Sequence, residues 1–156
     1  MHVGTPAPDF EAITLDGKPI KLSELRGKLV FVDFWATWCG PCVAELPNVK
    51  KAHQQYAKDG LVVISISFDK DAKTARSYAE KNGMTWPQVW VKGGDKSELA
   101  KLYNVGGIPA TFLIGSDGKI VAKDLPGEKL LRTIEKEIKK LKQSSDETAR
   151  ALGDRG

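Results

Sequence analysis

The chain holds two cysteines, and they stand together as Cys39-Gly40-Pro41-Cys42. A bridge closing so short a loop removes little freedom from the unfolded chain, so the pair is worth little as a staple. It is worth more as chemistry. Where a helix begins at such a pair, Cys39 lies just before the first turn and Cys42 inside it. The unpaired N–H groups and the positive end of the helix dipole then favour a thiolate at Cys39, lowering its pKa below the free value of about 8.5. A thiolate attacks disulfides, and a second thiol one turn further in can resolve the mixed disulfide. Pro41 has no N–H to lose and pre-sets φ for a helix start. Gly40 leaves room for a partner chain to approach. The competing readings are a pair of ordinary buried thiols and a metal-chelating pair. Two cysteines cannot build a four-cysteine zinc site.

Such a site needs a rigid strand-to-helix junction, and the flanking sequence supplies one. Residues 29–36, Leu-Val-Phe-Val-Asp-Phe-Trp-Ala, are an apolar run broken by one acid, as expected for a central strand covered on both faces. A helix pattern follows from Cys42 to Tyr56, with Leu46, Val49, His53 and Tyr56 on one face and Pro47 kinking it. Before the junction, residues 10–15 and 19–22 flank Asp16-Gly17 as a hairpin, and Ser23 caps a short turn that Gly27 ends. After it, residues 61–68 form a second buried strand, and Asp71 caps a helix to about Asn82. Residues 86–91 form a short strand, which Pro87 sends to an edge. A short helix over 97–103, a strand over 110–114, a turn at 116–119 and a strand over 120–122 come next. An amphipathic helix over 128–141 carries Leu131, Ile134, Ile138 and Leu141 as its apolar stripe. The alternation predicts one α/β domain over 1–142, with a central sheet and helices on both faces, and a disordered tail over 143–156.

Bulk composition narrows the function classes. The formal charge of +4 is spread along the chain, and the lysines between Lys136 and Lys142 read as the solvated face of a helix, so no nucleic-acid partner is expected. No apolar run approaches the ~18 residues of a membrane span. Met1-His2-Val3-Gly4 carries no signal-peptide pattern.

Two acids bear on the cysteines. Asp33 sits in the apolar strand, where burial should raise its pKa toward the range in which a carboxyl can exchange a proton with Cys42. The alternative is a strand-end acid reaching solvent. Glu45 falls on the helical face of Cys42, where it either couples to the site or complements the helix dipole. Which of the two is the main proton acceptor stays open. Trp35 reads as packing beneath the site and Trp38 as a partly exposed contact for partners. His53 is read as structural, and His2 lies at the start of the chain.

The segment Trp35-Ala36-Thr37-Trp38-Cys39-Gly40-Pro41-Cys42 resembles the active-site segment of the thioredoxin superfamily. Over roughly residues 4–141 the chain is similar to the TlpA/ResA branch of thiol–disulfide oxidoreductases, with an AhpC/TSA–Redoxin-like domain. Ala7-Pro8-Asp9-Phe10 and residues 22–28 resemble that branch and the peroxiredoxins, and residues 71–91 resemble the branch's insertion. Gly106-Gly107-Ile108-Pro109-Ala110-Thr111-Phe112 is similar to the superfamily's second signature. The resemblance implies a thioredoxin-like fold with a central mixed sheet, an N-terminal β-hairpin and a helix-strand insertion before the cis-proline segment. It implies that Ile108-Pro109 is cis and faces the disulfide, with the Ile108 backbone offering strand-like hydrogen bonds to a substrate. From the residues alone, a trans proline opening a strand is the alternative. Asp33 matches a buried aspartate of thioredoxins, whereas many TlpA/ResA relatives carry asparagine there. Glu45 matches a glutamate frequent in that branch.

What the resemblance implies for function is disulfide exchange with partner proteins in the reducing direction, of the cytochrome c maturation or metal-site assembly type. Two other classes compete. A thiol peroxidase of the peroxiredoxin class has threonine three residues before its reactive cysteine, and here Ala36 holds that place. A copper-delivery chaperone needs a histidine beyond the pair, and none follows His53. The expected partners are protein thiols and disulfides and an upstream membrane or soluble thiol reductase. A monomer is expected, with no metal and no cofactor beyond the redox-active disulfide. The expected location is bacterial and periplasmic or otherwise extracytoplasmic, after loss of a signal or anchor segment, with the cytoplasm as the alternative.

Overall fold

A computed structural model describes the backbone of residues 1–153 and the side chains of residues 1–147. Among the described residues five strands form the main sheet. The two apolar runs sit in its middle. β3 (Leu29–Trp35) is buried at every position, and it pairs in parallel with β4 (Leu61–Ser67), Leu29 opposite Leu61 through Trp35 opposite Ser67. A strand without an exposed position needs cover on both faces, and hence the sheet is a middle layer. On the other side of β3 runs β6 (Ala110–Ile114), antiparallel, with β7 (Ile120–Lys123) outside it. The short β5 (Gln88–Trp90) takes the edge next to β4, as Pro87 requires. A separate hairpin, β1 (Glu11–Ile13) and β2 (Pro19–Lys21), precedes the sheet. This is a thioredoxin-like α/β fold.

Among the described residues four α-helices complete it: α1 (Gly40–Tyr56), α2 (Ala72–Lys81), α3 (Glu98–Leu102) and α4 (Gly127–Gly153). α1 buries Cys42, Leu46, Val49 and Ala52 and packs beside α4. Pro47 lies inside α1, which continues past it to Tyr56. α2 is capped by Asp71, whose carboxylate accepts from Thr74 N–H at 2.7 Å.

Two local expectations differ from the structure. The turn after β2 is a 3-10 helix over Leu22–Leu25, and its capping carboxylate is Asp9, which accepts from Ser23 N–H at 2.8 Å. Ser23 is therefore the donor in that contact and not the cap. The buried stripe of α4 runs through Leu130, Ile134 and Ile138, with Leu131 and Leu141 half-buried, so Ile134 and Ile138 fall as expected and Leu130 replaces Leu131 as the most buried leucine. α4 runs helical to Gly153, into the stretch from 143 on where apolar periodicity is lost. Exposed polar residues such as Gln143 and Glu147 are good helix formers and extend a helix already nucleated by packing. The last part of the expected tail, 154–156, lies outside the described residues.

Candidate active site

The parallel β3–β4 pair ends at Trp35 and Ser67, and the cysteine loop leaves from that end. Phe68 N–H donates to Trp35 C=O at 2.8 Å, holding the two strand ends together beyond the ladder. The chain then turns: Cys39 N–H donates to Ala36 C=O at 3.1 Å, and Cys39 becomes the N-cap of α1 with extended φ and ψ of −90° and 103°. Its sulfur accepts the N–H of Cys42 at 3.3 Å. The first turn of α1 thus offers a backbone N–H to the Cys39 sulfur, as the sequence reading required of a stabilised thiolate. Cys39 and Cys42 form a disulfide with Cα atoms 5.2 Å apart. Both are buried to a similar degree, so position and not exposure distinguishes them.

The residues framing the pair fall where a partner could reach them. Trp38 is 67% exposed. Gly40, Gly106 and Gly107 have open space where a Cβ would stand, so backbone can approach on both sides of the loop. Pro41 occupies the opening of α1 without leaving a donor unused. The Ile108–Pro109 peptide is cis, and Pro109 precedes Ala110, whose register partner is Phe34 on β3. That register carries the proline segment to the same end of the sheet as the cysteine loop. Trp38, Phe68, Gly106, Gly107 and Ile108 line one cavity of about 450 Å³ there. Trp35 is fully buried beneath, its ring 5.6 Å from that of Tyr78.

The two acids are treated differently by the fold. Asp33 is buried in β3, the one acid in that strand. Burial pushes its pKa up to about 7, with the nearby Glu45 charge adding to the rise. Glu45 lies in the first turns of α1, the helix that carries Cys42. Glu45 itself is half-buried and turned toward α4: its Oε2 accepts Gly127 N–H at 3.1 Å and Asn48 Nδ2–H at 3.4 Å. It ties the start of α4 to α1, a contact across the chain that helical spacing alone does not reveal. His53 packs its ring 5.4 Å from Trp86, away from the cysteines, and burial lowers its pKa.

One residue of the site was not singled out from the sequence. Asp69, 3% exposed, follows β4 and reaches across to the cysteine loop. Its Oδ1 accepts from the Thr37 hydroxyl at 2.6 Å and Thr37 N–H at 3.1 Å, and its Oδ2 accepts from the Ser67 hydroxyl at 2.7 Å. The signal available in the sequence was its place just after a buried strand, at the strand end from which sites of α/β sheets are built. Among the described residues, no group of three or more His, Cys, Asp or Glu side chains is placed to hold a metal ion, and no helix is long and apolar enough to cross a membrane.

Residues 3–123 match the AhpC/TSA family. The chain is 33% identical over 141 residues to the thiol-disulfide oxidoreductase ResA of Bacillus thuringiensis subsp. konkukian, covering 90% of this chain and 79% of the relative. It is 34% identical over 142 residues to ResA of Geobacillus kaustophilus, covering 91% and 79%. Among solved structures, the thioredoxin domain of a thiol-disulfide oxidoreductase from Bacteroides vulgatus superposes with a TM-score of 0.81 at 31% identity, covering 88% of this chain and 99% of that one. A putative thiol:disulfide interchange protein DsbE from Chlorobium tepidum superposes with a TM-score of 0.76 at 28% identity, covering 90% and 98%. The chain belongs to the AhpC/TSA family and is a thiol–disulfide oxidoreductase with a thioredoxin-like fold.

Proposed function

We propose that this member of the AhpC/TSA family works in the reducing direction, with Cys39 attacking a disulfide of a partner protein and Cys42 releasing it. The observation that carries this reading is the Cys39 sulfur at the N-cap of α1, accepting Cys42 N–H. In the reduced protein the same N–H and helix end favour the Cys39 thiolate. Attack by that thiolate forms a Cys39–partner disulfide and expels one partner thiolate. Cys42, deprotonated, then attacks Cys39, forming the Cys39–Cys42 disulfide and releasing the second partner thiolate. Two electrons pass to the partner, and the pair needs no other cofactor.

Asp33 is the favoured proton acceptor for Cys42. Its pKa near 7 lets it take a proton at neutral pH and return it, and Glu45 acts on the step through its charge on Asp33, since its own carboxylate is engaged at α4. Trp38 and the Ile108–Pro109 segment form the docking surface for the partner's cysteine-containing segment. Thr37 also bears on the choice of reaction: its hydroxyl donates to Asp69, which leaves it committed away from the Cys39 sulfur and speaks against a peroxidase site.

The similarity to ResA proteins of bacilli supports an extracytoplasmic bacterial setting, with a membrane or soluble reductase upstream and a monomeric enzyme. The TlpA/ResA resemblance supports a partner whose cysteine pair must be kept reduced, in cytochrome c maturation or metal-site assembly. The test of direction is the reduction potential of the Cys39–Cys42 couple, measured by equilibration with glutathione or thioredoxin. A value nearer thioredoxin's, about −270 mV, than the strong oxidant DsbA's, about −120 mV, is expected. A value at the oxidising end overturns the reducing assignment.

A further inference from the structure

We propose that Asp69 is a positioning residue for the Cys39 nucleophile, acting through Thr37. This rests on the exchange reading above and adds a residue to it. Asp69 is 3% exposed, yet it carries a carboxylate, and burying such a group is costly unless donors surround it. Here they do. The Thr37 hydroxyl donates to Oδ1 at 2.6 Å, Thr37 N–H donates to Oδ1 at 3.1 Å and lies 3.3 Å from Oδ2, and the Ser67 hydroxyl donates to Oδ2 at 2.7 Å. Asp69 is held in turn. Its own N–H donates to Ser67 Oγ at 3.0 Å, and its C=O accepts the Trp90 indole N–H at 2.8 Å. The last residue of β5 therefore braces the backbone that presents the carboxylate.

Thr37 lies inside the turn closed by Cys39 N–H on Ala36 C=O. A grip on Thr37, by both its backbone and its hydroxyl, fixes the turn that seats the Cys39 sulfur over the first N–H groups of α1. Loosening it lets the sulfur drift from those donors, and the thiolate loses part of its stabilisation. Asparagine at position 69 keeps the shape but offers one acceptor oxygen in place of two, and its amide N–H groups face donors. Charge-assisted hydrogen bonds are also stronger than neutral ones.

The experiment compares Asp69→Asn, Thr37→Val, their double variant and Thr37→Ser. The readouts are the pH profile of Cys39 alkylation in the reduced protein and the rate of exchange with a model protein disulfide. Each single variant is expected to raise the Cys39 pKa and slow exchange at pH 7 on the order of tenfold, the scale of one charge-assisted bond partly lost. The double variant should lose no more than Asp69→Asn alone, since the hydroxyl contact removed by Thr37→Val is one that Asp69→Asn already disturbs. Thr37→Ser, which keeps the hydroxyl, should behave as the parent does. An unchanged alkylation profile with only a lowered melting temperature overturns the proposal. So does a lowered Cys39 pKa in Asp69→Asn with Thr37→Val silent, which would make Asp69 a bare repelling charge. Should Asp69→Asn not fold, the Thr37→Val and Thr37→Ser pair decides by the same criterion. A parent protein without exchange activity would count against the exchange reading itself, and a parent that exchanges alongside variants equal to it would count against Asp69 alone.

Discussion

Cys39→Ser is expected to lower the rate of disulfide exchange by on the order of a thousandfold or more, to the uncatalysed background. A hydroxyl has no thiolate character near neutral pH, so the covalent route closes at its first step. Cys42→Ser fails at a different place. The Cys39 thiolate still attacks, but the mixed disulfide has no internal resolving thiol, so the variant performs a first half-reaction and stops. Insulin reduction followed by turbidity separates the two: no turnover in either, but a stoichiometric release of one partner thiol only with Cys42→Ser. Full turnover in Cys39→Ser would sink the mechanism. Its fold is expected to survive, since a bridge with a sequence separation of 3 contributes little to stability through chain entropy.

The second large effect is on stability. Asp33 holds its proton in the folded protein up to about pH 7, whereas in the unfolded chain it loses it near the ordinary value of 3.8. The folded state thus binds more protons than the unfolded state between those limits, and stability falls as pH rises through that window. Below about 3.8 both states are protonated and the penalty is absent. Above about 7 it is complete. The separation of 3.8 from about 7 corresponds to a penalty on the order of 4 kcal/mol. Asp33→Asn removes the ionisation and keeps the shape. It is expected to be more stable than the parent at pH 8 by several kcal/mol, with the difference shrinking toward acid, read by guanidinium denaturation of the oxidised proteins from pH 3 to 9. The same variant should exchange disulfides more slowly, because Cys42 has lost its proton acceptor. A stability difference that stays constant across pH would show that Asp33 is ionised in the folded state.

Stability given up for a buried acid is a common mark of a working site, and Asp33 was legible for that reason: one charge inside an apolar strand has few structural explanations. The two central strands were legible too, because full burial leaves an unbroken apolar run. The cysteine pair, the helix beginning beside it and the Ile108–Pro109 segment followed from short-range pattern and resemblance. What escaped was long-range. Asp69 meets Thr37 across a sequence separation of 32, and Glu45 meets Gly127 across one of 82. Neither contact leaves a local trace. Asp71, two residues on, has a local sign that Asp69 lacks, since it stands as cap before the α2 pattern. In α4, Ile134 and Ile138 are buried as the periodicity predicts, and Leu130 takes the inward place expected of Leu131. Periodicity marks a stripe, but adjacent Leu130 and Leu131 fit it about equally, and only packing against the sheet and α1 separates them.

The claim on which everything here turns is that Cys39 attacks and Cys42 resolves. Limited alkylation of the reduced parent protein at pH 7, followed by peptide mass mapping, tests it most directly. The label is expected on Cys39, with Cys42 reacting far more slowly because its thiol is held protonated. Labelling on Cys42 first, or equally on both, would contradict it.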